Sequence, residues 1–306
     1  MILGIDIGGT RVKAGLVNGN GLLARSASVA TPATLDEFTA ALHTLVLSVC
    51  AGDRPEAAGV GCKGILHPSN TTVEVLPGTM NYLEGANLAA LLVPVLPAGI
   101  PVRADNDARV ALAGEAAWGA ARGHNDVVML TLGTGVGGAV LCNGALLRGA
   151  AGVAGHIGHL TIHPLGPLCI CGNRGCLETF FSATAIEFAA RDGIERGCKS
   201  SLPRDPSCAD VFHAASAGDP LAEIVVAEAI QVLAAAVAGL LHVFDPEMVI
   251  LGGKISEAAG ALFVPLREQV YIRTRCLLRR DVPIIPAQVA DRTGIVGAAA
   301  IARKDS

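Results

Sequence analysis

Residues 126–147 read DVVMLTLGTGVGGAVLCNGALL. From 127 onward the run carries no charge and is about as long as a membrane span. Glycines and an asparagine break it, however, and the apolar halves on either side of 133–138 are strand-like. Two buried strands joined by a glycine turn is the better reading, followed by a second turn at Asn143-Gly144 and a third short strand. Read from Gly133 the turn also contains G-x-G-x-x-G. A dinucleotide fold needs a helix next, but AVLCNG follows, so a nicotinamide site is rejected. A cradle of backbone amides for phosphate remains, against the plainer reading of an ordinary hairpin.

The same pattern opens the chain. ILGIDI (2–7) ends on Gly8-Gly9, VKAGLV (12–17) follows, the turn Asn18-Gly19-Asn20-Gly21 comes next, and then LLARSASVA. Asp6 sits at the end of the first strand. Gly8, Gly9 and Thr10 form a turn whose amides and hydroxyl suit an oxyanion, Lys13 adds a cation, and Asp6 suits a water-bridged magnesium ion. Here too an ordinary hairpin is the competing reading. After each meander come helices: one from Thr34, and one at 108–121 after the strand IPVRADND (100–107). In the second half a long Ala-rich helix covers 220–243, a strand 247–253 ends on Gly252-Gly253, and a helix at 293–303 closes the chain. Two copies of one unit predict an α/β protein of two lobes with a cleft between them.

Composition agrees. Of 306 residues, 51% are hydrophobic and 16% charged, enough for a sizeable core. Net charge is −4 without a basic run, which argues against nucleic acid. No basic region precedes an apolar stretch at the N-terminus, so no secretory signal is expected. Neither a membrane nor a nucleic acid is an expected partner. Nine cysteines, six of them scattered, fit a reducing, cytoplasmic location.

The other three cysteines form Cys169-x-Cys171-Gly-x-x-Gly-Cys176, a tight knuckle suited to structural zinc. Three buried free thiols would not need glycines at that density. His156, His159 and His163 are all near enough to supply a fourth ligand. Asn106-Asp107 lies between strand and helix. An Asp there is by default a helix cap; the alternative is a general base that accepts a proton from an attacking hydroxyl.

Taken together, DIGGT, the Asn106-Asp107 pair, LGTGVGG, the G-x-x-G-H element with its CxCGxxGCxE knuckle, and LGG at 251–253 resemble the ROK family of sugar kinases and sugar-responsive repressors, in the actin–hexokinase–heat-shock superfamily. The resemblance implies two actin-like (ribonuclease H-like) lobes, a small one of 1–107 plus 291–306 and a large one of 108–290 with the knuckle at 156–178. It implies ATP-dependent phosphorylation of a hexose or amino-hexose at its 6-hydroxyl, with Mg2+ accompanying ATP, and a homodimer. By the same resemblance Asp107 is the base and Asn106 and Glu178 touch sugar, while His159 faces sugar and also joins Cys169, Cys171 and Cys176 on zinc. Gly8, Gly9, Thr10 and Lys13 match the first phosphate loop, Thr134 and Gly135 the second, and Gly252 and Gly253 the region beside adenosine.

Two departures leave the sugar open. His156 stands where the family usually has Glu, giving the His-x-Gly-His pattern of some bacterial N-acetylmannosamine kinases. The sugar loop reads LPGTMNYLEG (76–85), so Gly64, Thr79 and Asn81 are candidate contacts only. A sugar-sensing repressor is disfavoured because DIGGT lies too near the start of the chain for a preceding DNA-binding domain. A catalytically dead sugar-binding protein is disfavoured because Asp107 and both phosphate loops are intact.

Overall fold

Alternation along Ile2–Ile7 organises the first half of the chain. Leu3, Ile5 and Ile7 pack in one core with Phe38, Leu42, Leu45 and Val46 of the helix Leu35–Cys50. Ile2 joins a different core with Ile295, Val296 and Ala299 of the helix Thr293–Ile301. A strand covered by a helix on each face has no polar side, hence the near-continuous apolar sequence. Burying each Leu, Ile or Phe on these faces contributes about 1.5–3 kcal/mol relative to exposure.

The second helix seats on glycine. A Cβ at Gly4 would overlap the carbonyl of Ile295, and one at Gly59 the carbonyl of Ala298. Helix and sheet backbones therefore meet almost directly.

A computed structural model of the chain describes residues 1–76, 78, 80–289 and 293–303. They fall into two units: those of 1–124, 145–155 and 287–303, and those of 125–144 and 156–286. The sheet of the first unit has the order Leu23–Ala30, Arg11–Val17, Ile2–Ile7, Ala57–Cys62, Val102–Asn106. The first two pairings are antiparallel and the last two parallel. This register puts Asp6 opposite both Lys13 and Gly61, and Cys62 opposite Asn106. The sequence reading ended the small lobe at 107. In the structure the helix Asp107–Trp118 stays with the first unit, because it packs on Thr293–Ile301 where Gly114 meets the backbone of Gly297.

In the second unit the order is Val136–Cys142, Val127–Leu132, Met248–Gly252, Ile284–Pro286, with one antiparallel and two parallel pairings. The uncharged stretch at 127–147 is thus two paired strands, a turn and the short strand Ala145–Leu146. The helix Pro220–Phe244 is by length and composition the one described helix that would cross a membrane, yet 61% of its most apolar window is buried inside the protein. Asp219 caps its start, accepting from the amide of Ala222 at 3.0 Å.

Candidate active site and metal centre

The polar pair at the end of Val102–Asn106 resolves into two roles. Asn106, 6% exposed, is the cap of Asp107–Trp118: its Oδ1 accepts from the amide of Ala108 at 3.0 Å, and its Nδ2 donates to the carbonyl of Gly64 at 3.0 Å. Gly64 sits at φ +90°, and a Cβ there would strike the carbonyl of Val75. Asn106 thereby ties the strand end to the 63–65 turn. Asp107 is left as the first helical residue, with a surface open to solvent. Its Oδ1 accepts from the amide of Ala108 at 2.9 Å.

Desolvation by the surrounding protein pushes the Asp107 carboxyl above the usual carboxylate range. The amide of Ala108 and the charges of Lys63 and Arg109 oppose that shift. Asp6, half-buried with its carboxylate 3.8 Å from Lys13 Nζ, is also raised by desolvation. Lys13 lowers it and Asp107 raises it, so the two acids feel each other. Asp6 packs directly on Gly294, where any side chain would overlap it. Burial, then the charges of Asp107 and Asp6, push the Cys62 thiol up to about 12, so it stays protonated.

The turn after Asp6 is held shut. Gly8 N donates to Arg11 O at 3.1 Å, Thr31 Oγ1 to Gly8 O at 2.6 Å, and Thr31 N to Thr10 O at 3.0 Å. The first unit therefore brings Asp6, Lys13 and the Gly8-Gly9-Thr10 turn to the same sheet that ends in Asn106-Asp107. Asn81 is exposed at the start of the short helical turn Asn81–Leu83 in this unit. Thr79 lies outside the described residues.

Sequence reasoning missed the clamp behind the pair. Asp105, buried, accepts from Arg109 Nε at 2.5 Å and from Arg148 Nε at 2.8 Å. Arg109, 1% exposed, donates to the carbonyls of Gly152 at 3.2 Å and Ala154 at 2.9 Å. The Asp105/Arg109 spacing of four, across a strand end and a helix start, was the one signal available.

In the second unit the 133–138 turn is pinned from outside. Gly133 O accepts from the amide of Ala183 at 2.8 Å, and Thr134 O from Thr184 Oγ1 at 3.0 Å. Gly135 lies against the carboxylate of Glu178, whose Oε2 accepts from the amide of Val136 at 3.0 Å. Gly253, at φ +84°, packs against the backbone of Leu132, which brings the end of Met248–Gly252, and so Gly252 itself, beside this turn.

The knuckle gathers His159, Cys169, Cys171 and Cys176, whose ligand atoms all lie within 4.8 Å of one another. Cys169 Sγ is 3.6 Å from His159 Nδ1, and Cys171 Sγ is 3.7 Å from Cys176 Sγ. A tetrahedral zinc with Zn–S near 2.3 Å has sulfur–sulfur edges of about 3.8 Å, so the set fits the ion. Asn173 Nδ2 lies 3.6 Å from Cys176 Sγ and donates to Thr161 Oγ1 at 2.8 Å, an outer support of the kind such sites use. Of the three histidines left open by the sequence, His159 belongs to the cluster. His156 stacks on the His159 ring, with centroids 6.3 Å apart, and His163 packs against Phe180.

Each unit is a mixed sheet flanked by helices. One carries paired acids beside a glycine turn, the other a second glycine turn buttressed by a four-ligand metal knuckle. That combination agrees with the α/β sugar-kinase arrangement the sequence motifs resemble. The chain belongs to the ROK family, which it matches over residues 2–305. It is 35% identical to a glucokinase of Thermotoga maritima across 99% of this chain and 97% of that one. It is 33% identical to an N-acetylmannosamine kinase of Salmonella typhi across 99% of each. The fold matches that of a ROK family glucokinase from Streptomyces griseus, solved in complex with glucose and AMPPNP, with a TM-score of 0.84, 31% identity and 99% of each chain covered.

Proposed function

We propose that this chain is an ATP-dependent sugar kinase that phosphorylates glucose at its 6-hydroxyl, with Asp107 as general base. The observation that carries the reading is the division of labour at 106–107. Asn106 spends both ends of its amide on cap and turn, and Asp107, an exposed residue, follows as the first of the helix. Phosphoryl transfer asks the protein for placement and charge neutralisation rather than covalent help. Asp107 accepts the hydroxyl proton as the oxygen attacks the terminal phosphorus and the bond to the bridging oxygen of ADP breaks, and its raised pKa strengthens it as a base.

The turn at Gly8, Gly9 and Thr10, with Lys13, and the turn at Thr134 and Gly135 offer backbone amides and a cation to the triphosphate. Gly252 and Gly253 lie beside the second turn and suit the adenosine end. Asp6 would hold the magnesium ion that arrives with ATP; the ion's chemistry is neutralisation of phosphate charge. His159, Cys169, Cys171 and Cys176 would hold zinc as a structural ion. Gly64, Thr79, Asn81, His156, His159 and Glu178 are the positions we assign to sugar, with Asn106 fixing the Gly64 turn. The scattered cysteines, none in a disulfide, support a cytoplasmic location, and the sequence's resemblance to the ROK family is what suggests a homodimer.

A second substrate, an amino-hexose such as N-acetylmannosamine, is favoured by His156. A stacked imidazole replaces a carboxylate there, and so presents a donor or acceptor without a fixed negative charge. ADP release coupled to a reporter, measured across glucose, mannose, fructose, allose, glucosamine, N-acetylglucosamine and N-acetylmannosamine, tests both. Glucose is expected to give the highest kcat/KM. An N-acetylmannosamine maximum selects the second reading, and no sugar-dependent release overturns both.

A further inference from the structure

Glu178 does more than face a substrate. It sits two residues past the metal ligand Cys176, on the helical turn Leu177–Thr179, and this turn is tied to the knuckle by Thr179 Oγ1 donating to Cys176 O at 2.8 Å. One carboxylate oxygen, Oε1, lies 3.8 Å from Cys169 Sγ. The other accepts from the amide of Val136, and a Cβ at Gly135 would meet that same oxygen. On the turn's opposite side, Gly158, next to the ligand His159, packs against the carbonyl of Val136 so closely that a Cβ would overlap it. Ala183 and Thr184, at the start of the helix that follows, hold Gly133 and Thr134. Every outside support named for residues 133–136 thus comes from the segment 158–184 that the metal ligands organise.

We infer that Glu178 is a positioning residue that couples metal occupancy of the knuckle to the geometry of the 133–138 turn, so that the metal governs the grip on the phosphate donor. The part concerning the donor rests on the function proposed above. The mechanism is local: Cys176 and His159 would hold the ion and be fixed by it, Cys176 ties down the 177–179 turn, and the Glu178 oxygen sets where the Val136 amide stands. An amide turn binds phosphate only when its N–H groups converge, so a shifted Val136 weakens binding without touching Asp107.

The test compares zinc-loaded Glu178→Gln and Glu178→Ala with wild type, by hydrogen exchange of the peptide spanning 133–138 and by calorimetric titration with ADP. Glutamine keeps an acceptor oxygen for Val136 and alanine does not. Glu178→Ala is therefore expected to speed exchange across 133–138 and to weaken ADP about tenfold or more, the effect of losing a charged hydrogen bond. Glu178→Gln is expected to stay close to wild type in both readouts. Stripping the metal from wild type with a chelator is expected to move exchange of the same peptide in the alanine direction. Unchanged exchange in Glu178→Ala, or in the metal-free protein, would overturn the coupling. So would a glutamine variant as impaired as the alanine one. A loaded wild type that binds no ADP would instead defeat the proposed function, while the exchange experiment still decides the coupling.

Discussion

At the scale of single residues, the local field around Asp107 sets a pH signature. Its carboxyl is raised above the ordinary value near 4, and a base works only when ionised. Activity should therefore fall on acidification at a higher pH than an unperturbed aspartate would give. Lys63 holds that value down, so Lys63→Met should move the acidic limb of the kcat/KM profile upward again. A limb unmoved by Lys63→Met would show that another group controls it. His156→Glu should lower preference for N-acetylated amino sugars relative to glucose, read from kcat/KM ratios, and an unchanged ratio would remove His156 from specificity. The Asn-Asp pair was legible in the sequence as either cap or base. It could not be split from letters, because the split depends on Asn106 reaching the carbonyl of Gly64, forty-two positions away.

Among the elements, glycine turns and strand runs were readable because each is encoded within a few neighbouring positions, and the two meanders at 2–30 and 127–146 form where the pattern put them. The knuckle was readable for the same reason, with its cysteines inside eight positions. Contacts between distant elements were not. Nothing in ILGIDI or AAGVGC announces that Gly4 and Gly59 are seats for a helix more than two hundred residues downstream. Gly59→Val should cost about 1–3 kcal/mol or more by forcing Thr293–Ile301 off the sheet, visible as a fall in Tm. The clamp of Asp105, Arg109 and Arg148 was equally hidden, since Arg109 ends on the carbonyls of 152 and 154. Arg109→Ala leaves Asp105 buried with a half-exposed partner. Breaking a buried pair costs about 3–5 kcal/mol, and Arg148 should keep the loss at the lower end. A denaturant midpoint unchanged from wild type would show that the pair carries no weight.

Across the whole molecule, the functional groups divide between two units, each with its own sheet and core. The acids and first turn belong to one, the second turn and metal knuckle to the other. The family shared by relatives of both substrate names explains why the reaction class was legible and the sugar was not. The turns and base we propose are short local patterns, while the positions we assign to sugar choice are His156 and a loop that departs from the common form. At this scale the metal should be stoichiometric. Elemental analysis should find one zinc per chain, and Cys171→Ser should lose it with a lowered Tm. A wild type purified without metal, at full stability, would reject the site.

Asp107→Asn tests the central claim most directly. The amide keeps the shape and the Ala108 hydrogen bond but cannot take the hydroxyl's proton. Turnover should drop about 10²–10⁴-fold, while sugar binding, read by calorimetry, stays within a few-fold of wild type. Near-normal turnover of this variant with glucose or an amino-hexose would contradict the assignment of the base.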